Sequence, residues 1–163
     1  MKVYKFGGAS VKNADGVRNL KHIIEGQSEL FIIVSAMGKT TNALEEVFDH
    51  YRTSKLEAAQ AKIDEIAAYH QAIIDDLFGE HRTLGQVEAL LSELQRFITT
   101  VPYDASRAEE RYDRTVAFGE LISTTIISEW LNFAGIANHW VDMRRTFVTQ
   151  FRHKDANVFI EES

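Results

Sequence analysis

The N-terminal third of the chain alternates between short apolar segments and polar loops. Residues 3–6 are rich in β-prone side chains and end at Gly7 and Gly8, which predicts a strand followed by a turn. A helix is expected to begin after Asn13, a favourable N-cap, and to end at Gly26, because apolar residues recur between them at helical spacing. The order is typical of an α/β fold.

A second unit of the same kind follows. Residues 30–34 form an unbroken apolar run, LFIIV, which is typical of a central strand covered on both faces in a parallel sheet. The polar loop SAMGKTTN comes next, and Thr40 or Thr41 is expected to cap a second helix. Because parallel strands end at the same edge of a sheet, the two loops are predicted to lie side by side in a ligand crevice.

Residues 54–101 show helical rather than strand periodicity, and Gly79 divides them. The pattern predicts an antiparallel helical hairpin inserted into the α/β domain, with capping boxes at Ser54 and Thr83. Two apolar stripes recur at spacings of three and four: Leu56, Ala59, Ile63, Ile66, His70, Ile73 and Leu77, then Leu84, Val87, Leu91, Leu94, Ile98 and Val101. We interpret these stripes as core packing and His70 as a buried histidine, not a ligand.

After Pro102, a capping pattern at Ser106 predicts a long helix to Ala134, followed by strands over residues 137–143 and 156–160. The chain stops just after a predicted strand, where α/β folds seldom end, so we expect a piece of a longer protein. The predicted organisation is one domain over 1–163, divided into a β-loop-α-β-loop-α unit (1–53), the hairpin (54–101) and a helix with following strands (102–163).

Composition narrows the function classes. The chain has 163 residues, 45% of them apolar and 26% charged, which is typical of a globular domain. A net charge of −6 argues against a nucleic-acid surface, and the six histidines are too scattered for a zinc site. The absence of cysteine and of a membrane-length apolar run predicts a cytoplasmic protein that does not bind membranes.

Two familiar nucleotide motifs are absent. Gly38-Lys39-Thr40 resembles the end of a P-loop, but a P-loop needs a glycine where Ile33 lies in the predicted strand. The dinucleotide fingerprint GxGxxG is also missing, because Ala9 follows the glycine pair. A P-loop NTPase and a Rossmann dehydrogenase are therefore poor interpretations.

Three short motifs carry candidate chemistry, each with a structural alternative. Lys5 beside Gly7 and Gly8 predicts either a tight turn or a phosphate cradle, since glycines let backbone N–H groups approach an anion closely. Ser35 and the following Thr41 and Asn42 are either caps and turn residues or substrate ligands. Glu120, in the apolar run AFGELIST, is either a helix-dipole partner or a ligand for an ammonium group.

In combination, KFGGASV, then SAMGKTTN, then FGELIST after a helical insert, and then VDMRRTFVT resemble the N-terminal part of the aspartokinases, within the amino-acid kinase family. The resemblance covers essentially the whole chain. It implies a truncated three-layer α/β/α fold with a mainly parallel sheet and a helical hairpin insert. The implied reaction transfers phosphate from ATP to the β-carboxylate of L-aspartate, an early step of lysine, threonine and methionine biosynthesis.

The resemblance also implies residue roles. Lys5 would be catalytic, stabilising charge on the transferred phosphoryl group, with Mg²⁺ bridging the ATP phosphates. Phe6, Gly7, Gly8 and Ser10 would join Lys5 in the nucleotide site. Ser35, Thr41 and Glu120 would bind aspartate, Glu120 through its α-ammonium group. No residue of this chain is implied as a metal ligand.

Ala9 departs from the family pattern, which usually has threonine there. The family's glycine-rich GRGGSD-type segment, the arginine for the α-carboxylate and the regulatory domains would lie beyond Ser163. We therefore expect the fragment to be inactive alone and the complete protein to form homo-oligomers. The alternatives are an amino-acid kinase acting on another acid and a non-catalytic interaction module that uses the helical hairpin.

Overall fold

A computed structural model of the chain describes residues 1–145. Two strands and six α-helices make up most of this part, with three short 3-10 turns at Gly8–Val11, Ala105–Arg107 and Met143–Arg145. The strands and helices are β1 (Lys2–Phe6), α1 (Ala14–Ile24), β2 (Leu30–Val34), α2 (Thr40–Arg52), α3 (Leu56–Phe78), α4 (Gly85–Thr100), α5 (Ala108–Val116) and α6 (Phe118–Phe133).

The two strands pair in parallel, with Lys2 opposite Leu30 and Phe6 opposite Val34. The backbone N–H of Ser35 donates to the carbonyl oxygen of Phe6 at 3.0 Å and carries the pairing one step past β2. Because the strands are parallel, their C-terminal ends lie at the same edge of the sheet. This confirms the predicted β-loop-α-β unit and brings the loops that follow the strands together.

Helices cover one face of this sheet in the described residues. Phe6 and Val34 are buried there, and Tyr4 and Ile32 pack against the same core. On the other face Val3 is 56% exposed and Ile33 is 46% exposed. The expectation that β2 is covered on both faces is therefore not met within residues 1–145, where a single helical layer packs on the sheet.

The helical hairpin is confirmed in shape. Helices α3 and α4 pack on each other, and α3 also packs along α2. The side chain of His70 is fully buried, and its Nδ1 lies 2.7 Å from the carbonyl oxygen of Ile66. Helix α6 is buried on nearly every side and contacts α2, α3, α4, α5 and β2, which makes it the centre of the described core.

Several predicted helix caps are wrong, although Asn13 does cap α1 by accepting from the N–H of Gly16 at 3.0 Å. Helix α2 begins at Thr40 after Lys39, so neither threonine is its N-cap. Ser54 has φ +57°, because the chain turns from α2 to α3 within three residues, and Lys55 precedes α3 without a side-chain cap. Leu84, not Thr83, precedes α4.

The C-terminal part also differs from the prediction. The expected helix to Ala134 begins as a 3-10 turn capped by Asp104 and is interrupted at Ala117, between α5 and α6. Residues 137–142 do not form a strand in the described structure. They run along α6, where Trp140 donates to Thr124 Oγ1 at 2.8 Å, and they pair with neither β1 nor β2. The strand predicted over 156–160 lies outside the described residues.

Candidate functional site

Two loops meet at the edge of the sheet where both strands end: the first loop (residues 7–13) and the second loop (residues 35–39). The backbone N–H of Gly38 donates to the carbonyl oxygen of Gly8 at 3.0 Å. A Cβ on Gly8 would lie 2.4 Å from the carbonyl oxygen of Ala36, far inside van der Waals contact. Gly8 is therefore required by the packing of the two loops on each other.

Gly7 is different. Its backbone is extended, with φ −77° and ψ 161°, a conformation open to any residue. The nearest atom to a Cβ built on Gly7 is Nζ of Lys5, at 3.6 Å, which is ordinary contact. Packing within residues 1–145 thus gives no reason for glycine at this position. It does place the exposed ammonium group of Lys5 directly beside the backbone of Gly7.

The start of α6 packs tightly on the second loop. A Cβ on Gly119 would lie 2.7 Å from Cβ of Ala36, so only glycine allows this approach. The backbone N–H of Ala36 donates to Oε1 of Glu120 at 3.2 Å. One turn later, Oγ of Ser123 donates to the carbonyl oxygen of Ser35 at 2.9 Å. These contacts fix α6 against the loop and hold the exposed Glu120 carboxylate at the loop's backbone.

The remaining predicted site residues take varied positions. Phe6 is buried at the end of β1, and its carbonyl oxygen accepts from Ser35 of the second loop. Ser10 is exposed on the first loop, and its backbone N–H donates to the carbonyl oxygen of Gly7 at 2.9 Å. Thr41 is half-buried in the first turn of α2. Hydrogen bonds therefore link Phe6 to Ser35 and Glu120 to Ala36, the next residue of the second loop, while Ser10 and Thr41 lie on the neighbouring elements.

Charge is unevenly distributed around the loops. Lys5, Lys12 and Lys39 are exposed on or beside them, although the whole chain carries a net charge of −6. Cβ of Lys12 lies 3.6 Å from the position of a Cβ on Gly38, so this lysine belongs to the junction of the two loops. The carboxylate of Glu120 adds a negative group at the other end. The site thus has a cationic side and an acidic side.

Within residues 1–145, no three histidine, cysteine, aspartate or glutamate side chains come close enough to hold a metal ion. In the same residues, no helix is long and apolar enough to cross a membrane.

Sequence reasoning missed three residues that shape the site: Gly119, Ser123 and Tyr69. Gly119 and Ser123 flank Glu120 in FGELIST, where a glycine and a hydroxyl inside an apolar helix were available signals of a close helix–loop contact. Tyr69 lies on α3, far from the loops in sequence, and its hydroxyl donates to the carbonyl oxygen of Lys12 at 2.5 Å. Its spacing gave no indication of that contact.

Comparison with known proteins agrees with this geometry. The chain is 29% identical over 152 residues to a bifunctional aspartokinase/homoserine dehydrogenase 1 of Zea mays, covering 90% of this chain and 16% of that protein. It is 27% identical over 136 residues to aspartokinase 1 of Arabidopsis thaliana, covering 82% of this chain and 24% of the relative. The chain therefore spans only a minor part of the curated relatives that it matches.

A crystal structure of Escherichia coli aspartokinase III in complex with aspartate and ADP superposes with a TM-score of 0.80, at 24% identity, over 99% of this chain and 35% of that one. Aspartate kinase of Clostridium acetobutylicum matches with a TM-score of 0.59, over 80% of this chain and 29% of that one. These similarities show a shared fold and confirm the predicted fold class, of which residues 1–145 contain a small parallel sheet and one helical layer. A model of the amino acid kinase family matches residues 1–161. This chain belongs to the amino acid kinase family.

Proposed function

We propose that this chain forms the N-terminal part of an aspartokinase, which phosphorylates the β-carboxylate of L-aspartate with ATP to give 4-phospho-L-aspartate. One observation carries the proposal: Glu120 accepts from Ala36 on the second loop, next to the junction of Gly8 with Gly38. Three motifs that are far apart in sequence thereby form one site. The names of the similar proteins, and the aspartate and ADP bound by the E. coli enzyme, agree with it.

The phosphate end of the proposed site is the first loop. Within residues 1–145, Gly7 has no packing reason to be glycine, so a ligand that approaches its backbone closely would account for it. The ammonium group of Lys5 lies beside that backbone, where it would stabilise charge that develops on the transferred phosphoryl group. Gly8 keeps the loop against its neighbour, and Ser10 is exposed on the same loop.

The aspartate end of the proposed site is formed by the second loop and α6. Glu120 is exposed and oriented by the N–H of Ala36, which occupies only part of the accepting capacity of its two carboxylate oxygens. An α-ammonium group is a suitable partner for the remaining capacity. Ser35 begins the second loop and Thr41 lies just after it in α2, and their hydroxyl groups are the candidates for further contacts with the amino acid.

The reaction makes few chemical demands on protein side chains. A carboxylate with an ordinary pKa of about 4 is already ionised at neutral pH, so the acceptor needs no general base. Positioning and charge neutralisation then supply most of the catalysis, and lysine, glycine and polar loops suit that task. Mg²⁺ would neutralise charge on the ATP phosphates.

The relatives are much longer than this chain. We therefore assign the proposed activity to the longest natural polypeptide, meaning the longest naturally produced chain that contains these 163 residues. Formation of homo-oligomers and a cytoplasmic location stay predictions, and the maize and Arabidopsis relatives are described as chloroplastic.

The test is an acyl-phosphate trap with hydroxylamine, run on that longest polypeptide with ATP, Mg²⁺ and a panel of acids. We expect hydroxamate from L-aspartate and much less from L-glutamate and N-acetyl-L-glutamate, which have longer side chains. A preference for either of the longer acids would support the alternative, an amino-acid kinase with another substrate. No hydroxamate from any acid would overturn the proposal.

A further inference from the structure

Tyr69 contacts both loops of the proposed site from α3. Its hydroxyl group donates to the carbonyl oxygen of Lys12, in the first loop, at 2.5 Å. The hydroxyl oxygen of Tyr69 lies 2.6 Å from the position that a Cβ on Gly38 would occupy, and the ring carbon Cζ of Tyr69 lies 3.4 Å from that position. Tyr69 is therefore in contact with the backbone of Gly38 in the second loop. One side chain of the helical hairpin thus bridges the two loops.

The contact falls where the loops are joined to each other. Gly38 has φ +56°, in the left-handed region that favours glycine, and its N–H donates to Gly8. Any side chain at position 38 would displace the Tyr69 hydroxyl in addition to straining the backbone. Gly38 therefore contacts the Tyr69 hydroxyl at its Cα and the carbonyl oxygen of Gly8 through its N–H.

The hydroxyl group is well suited to hold the first loop. Lys12 ends the 3-10 turn Gly8–Val11, and carbonyl groups at the end of such a turn lack partners within it. Burial raises the pKa of Tyr69, so the hydroxyl remains protonated, and able to donate, throughout the physiological range. The ring is held edge-on against His70, which is itself fully buried. The donor is thus fixed on a rigid part of α3.

We infer that Tyr69 is a positioning residue: it fixes the first loop against the second, so that the helical hairpin sets the geometry of the nucleotide-phosphate end of the site. The hairpin then has a role in addition to core packing, because it holds the first loop in place through Tyr69. The inference rests on the proposed function for the identity of the ligand. The contacts of Tyr69 with the two loops can be tested without any ligand.

The test compares Tyr69→Phe with Tyr51→Phe. Tyr51 is a matched control, because its hydroxyl also donates to a backbone carbonyl, that of Val101 at 2.9 Å, but lies between α2 and the end of α4. Amide hydrogen exchange on the 163-residue chain reports on the loops through the N–H groups of Gly38 and Ser10. We expect exchange at both to be about fivefold faster in Tyr69→Phe and unchanged in Tyr51→Phe, as expected for the loss of one ordinary hydrogen bond.

The second readout is the KM for ATP of the longest natural polypeptide. We expect Tyr69→Phe to raise this KM about fivefold with kcat changed less than twofold, and Tyr51→Phe to change neither. Unchanged exchange in Tyr69→Phe, equal changes in both variants, or faster exchange with an unaltered KM would each overturn the inference. A wild-type protein that uses no nucleotide would instead overturn the proposed function, and the exchange rates would still decide whether Tyr69 fixes the loops.

Discussion

The carboxylate of Glu120 is held by a backbone group: Oε1 accepts from the N–H of Ala36 at 3.2 Å, although 84 residues separate the two in sequence. The contact depends on Gly119, which lets α6 approach Ala36. A carboxylate fixed in this way is preorganised, because it needs no rearrangement to receive an ammonium group. Glu120 is therefore the residue on which the aspartate end of the proposed site depends.

Replacing Glu120 by glutamine separates its charge from its contact with Ala36. The amide oxygen of Glu120→Gln can still accept from that N–H, so the loop should keep its shape, but the attraction for an ammonium group is lost. We expect the KM for aspartate to rise by about 10- to 100-fold, the range of one charged hydrogen bond, with a smaller change in kcat. Steady-state kinetics of the longest natural polypeptide measures this. Glu129→Gln, at an exposed position of α6, should leave KM unchanged; an unaltered KM in Glu120→Gln would exclude the assigned role.

Gly8 and Gly85 should respond in opposite ways to alanine. A Cβ on Gly8 would collide with the carbonyl oxygen of Ala36, so the two loops must separate. We expect Gly8→Ala to lower the free energy of unfolding by about 1–3 kcal/mol, as for overpacking at other sites. A Cβ on Gly85 meets no atom within 4 Å in the first turn of α4, so Gly85→Ala should stabilise the protein by about 0.5–1 kcal/mol. Urea unfolding of the 163-residue chain compares them, and equal effects would contradict the loop geometry.

His70 should make the stability of the chain dependent on pH. Burial lowers the pKa of His70, and the hydrogen bond with Ile66 opposes this only in part. Nε2 has no hydrogen-bond partner within residues 1–145, so a proton there would be buried and unpaired. Because the unfolded chain takes up the proton first, stability is complete above the ordinary histidine pKa of about 6.5 and falls as the pH decreases below it.

The measurement is urea unfolding of His70→Leu and wild type at pH 7.5 and at about pH 5.5. We expect wild type to lose about 1 kcal/mol more than His70→Leu between these values, since one proton is linked to unfolding. At pH 7.5 the variant should be at least as stable, because leucine leaves no unpaired Nε2 in the core. His22→Gln, at an exposed position of α1, should behave as wild type. The same pH dependence in His70→Leu would show that another group is responsible.

The sequence predicted the parts of the fold that depend on periodicity. β2 has the predicted bounds, and the α3 stripe from Ala59 to Leu77 is buried as expected, with Leu56 as its exposed exception. Features that depend on tertiary contacts were missed. Ser54 lies in a tight corner between two helices, and residues 137–142 have strand-like composition but make side-chain hydrogen bonds with α6. Local patterns cannot report on such neighbours.

The site shows the same division. The nearness of the motifs that contain Lys5, Gly8, Ser35 and Glu120 could be predicted, because each motif follows a strand or begins a helix, while the roles of these residues stay predictions. The structure separates the two glycines that the motif treats alike: Gly8 is required by packing, and Gly7 is not. That distinction depends on the second loop, which lies about thirty residues away in sequence, so the residues of the first motif alone could not supply it.

The role of Lys5 at the phosphate end of the proposed site is tested most directly by kcat for aspartate-dependent hydroxamate formation. This kcat is measured for Lys5→Ala in the longest natural polypeptide, with Lys2→Ala as the control. Lys2 lies in the same strand, and its Nζ contacts Gln27 at 3.4 Å, away from the loops. Removing the Lys5 ammonium group should lower kcat by about 10²–10³, the usual cost of one group that stabilises developing charge, and Lys2→Ala should keep wild-type kcat. A Lys5→Ala enzyme with wild-type kcat would contradict the assignment of the phosphate end of the site to the KFGG motif.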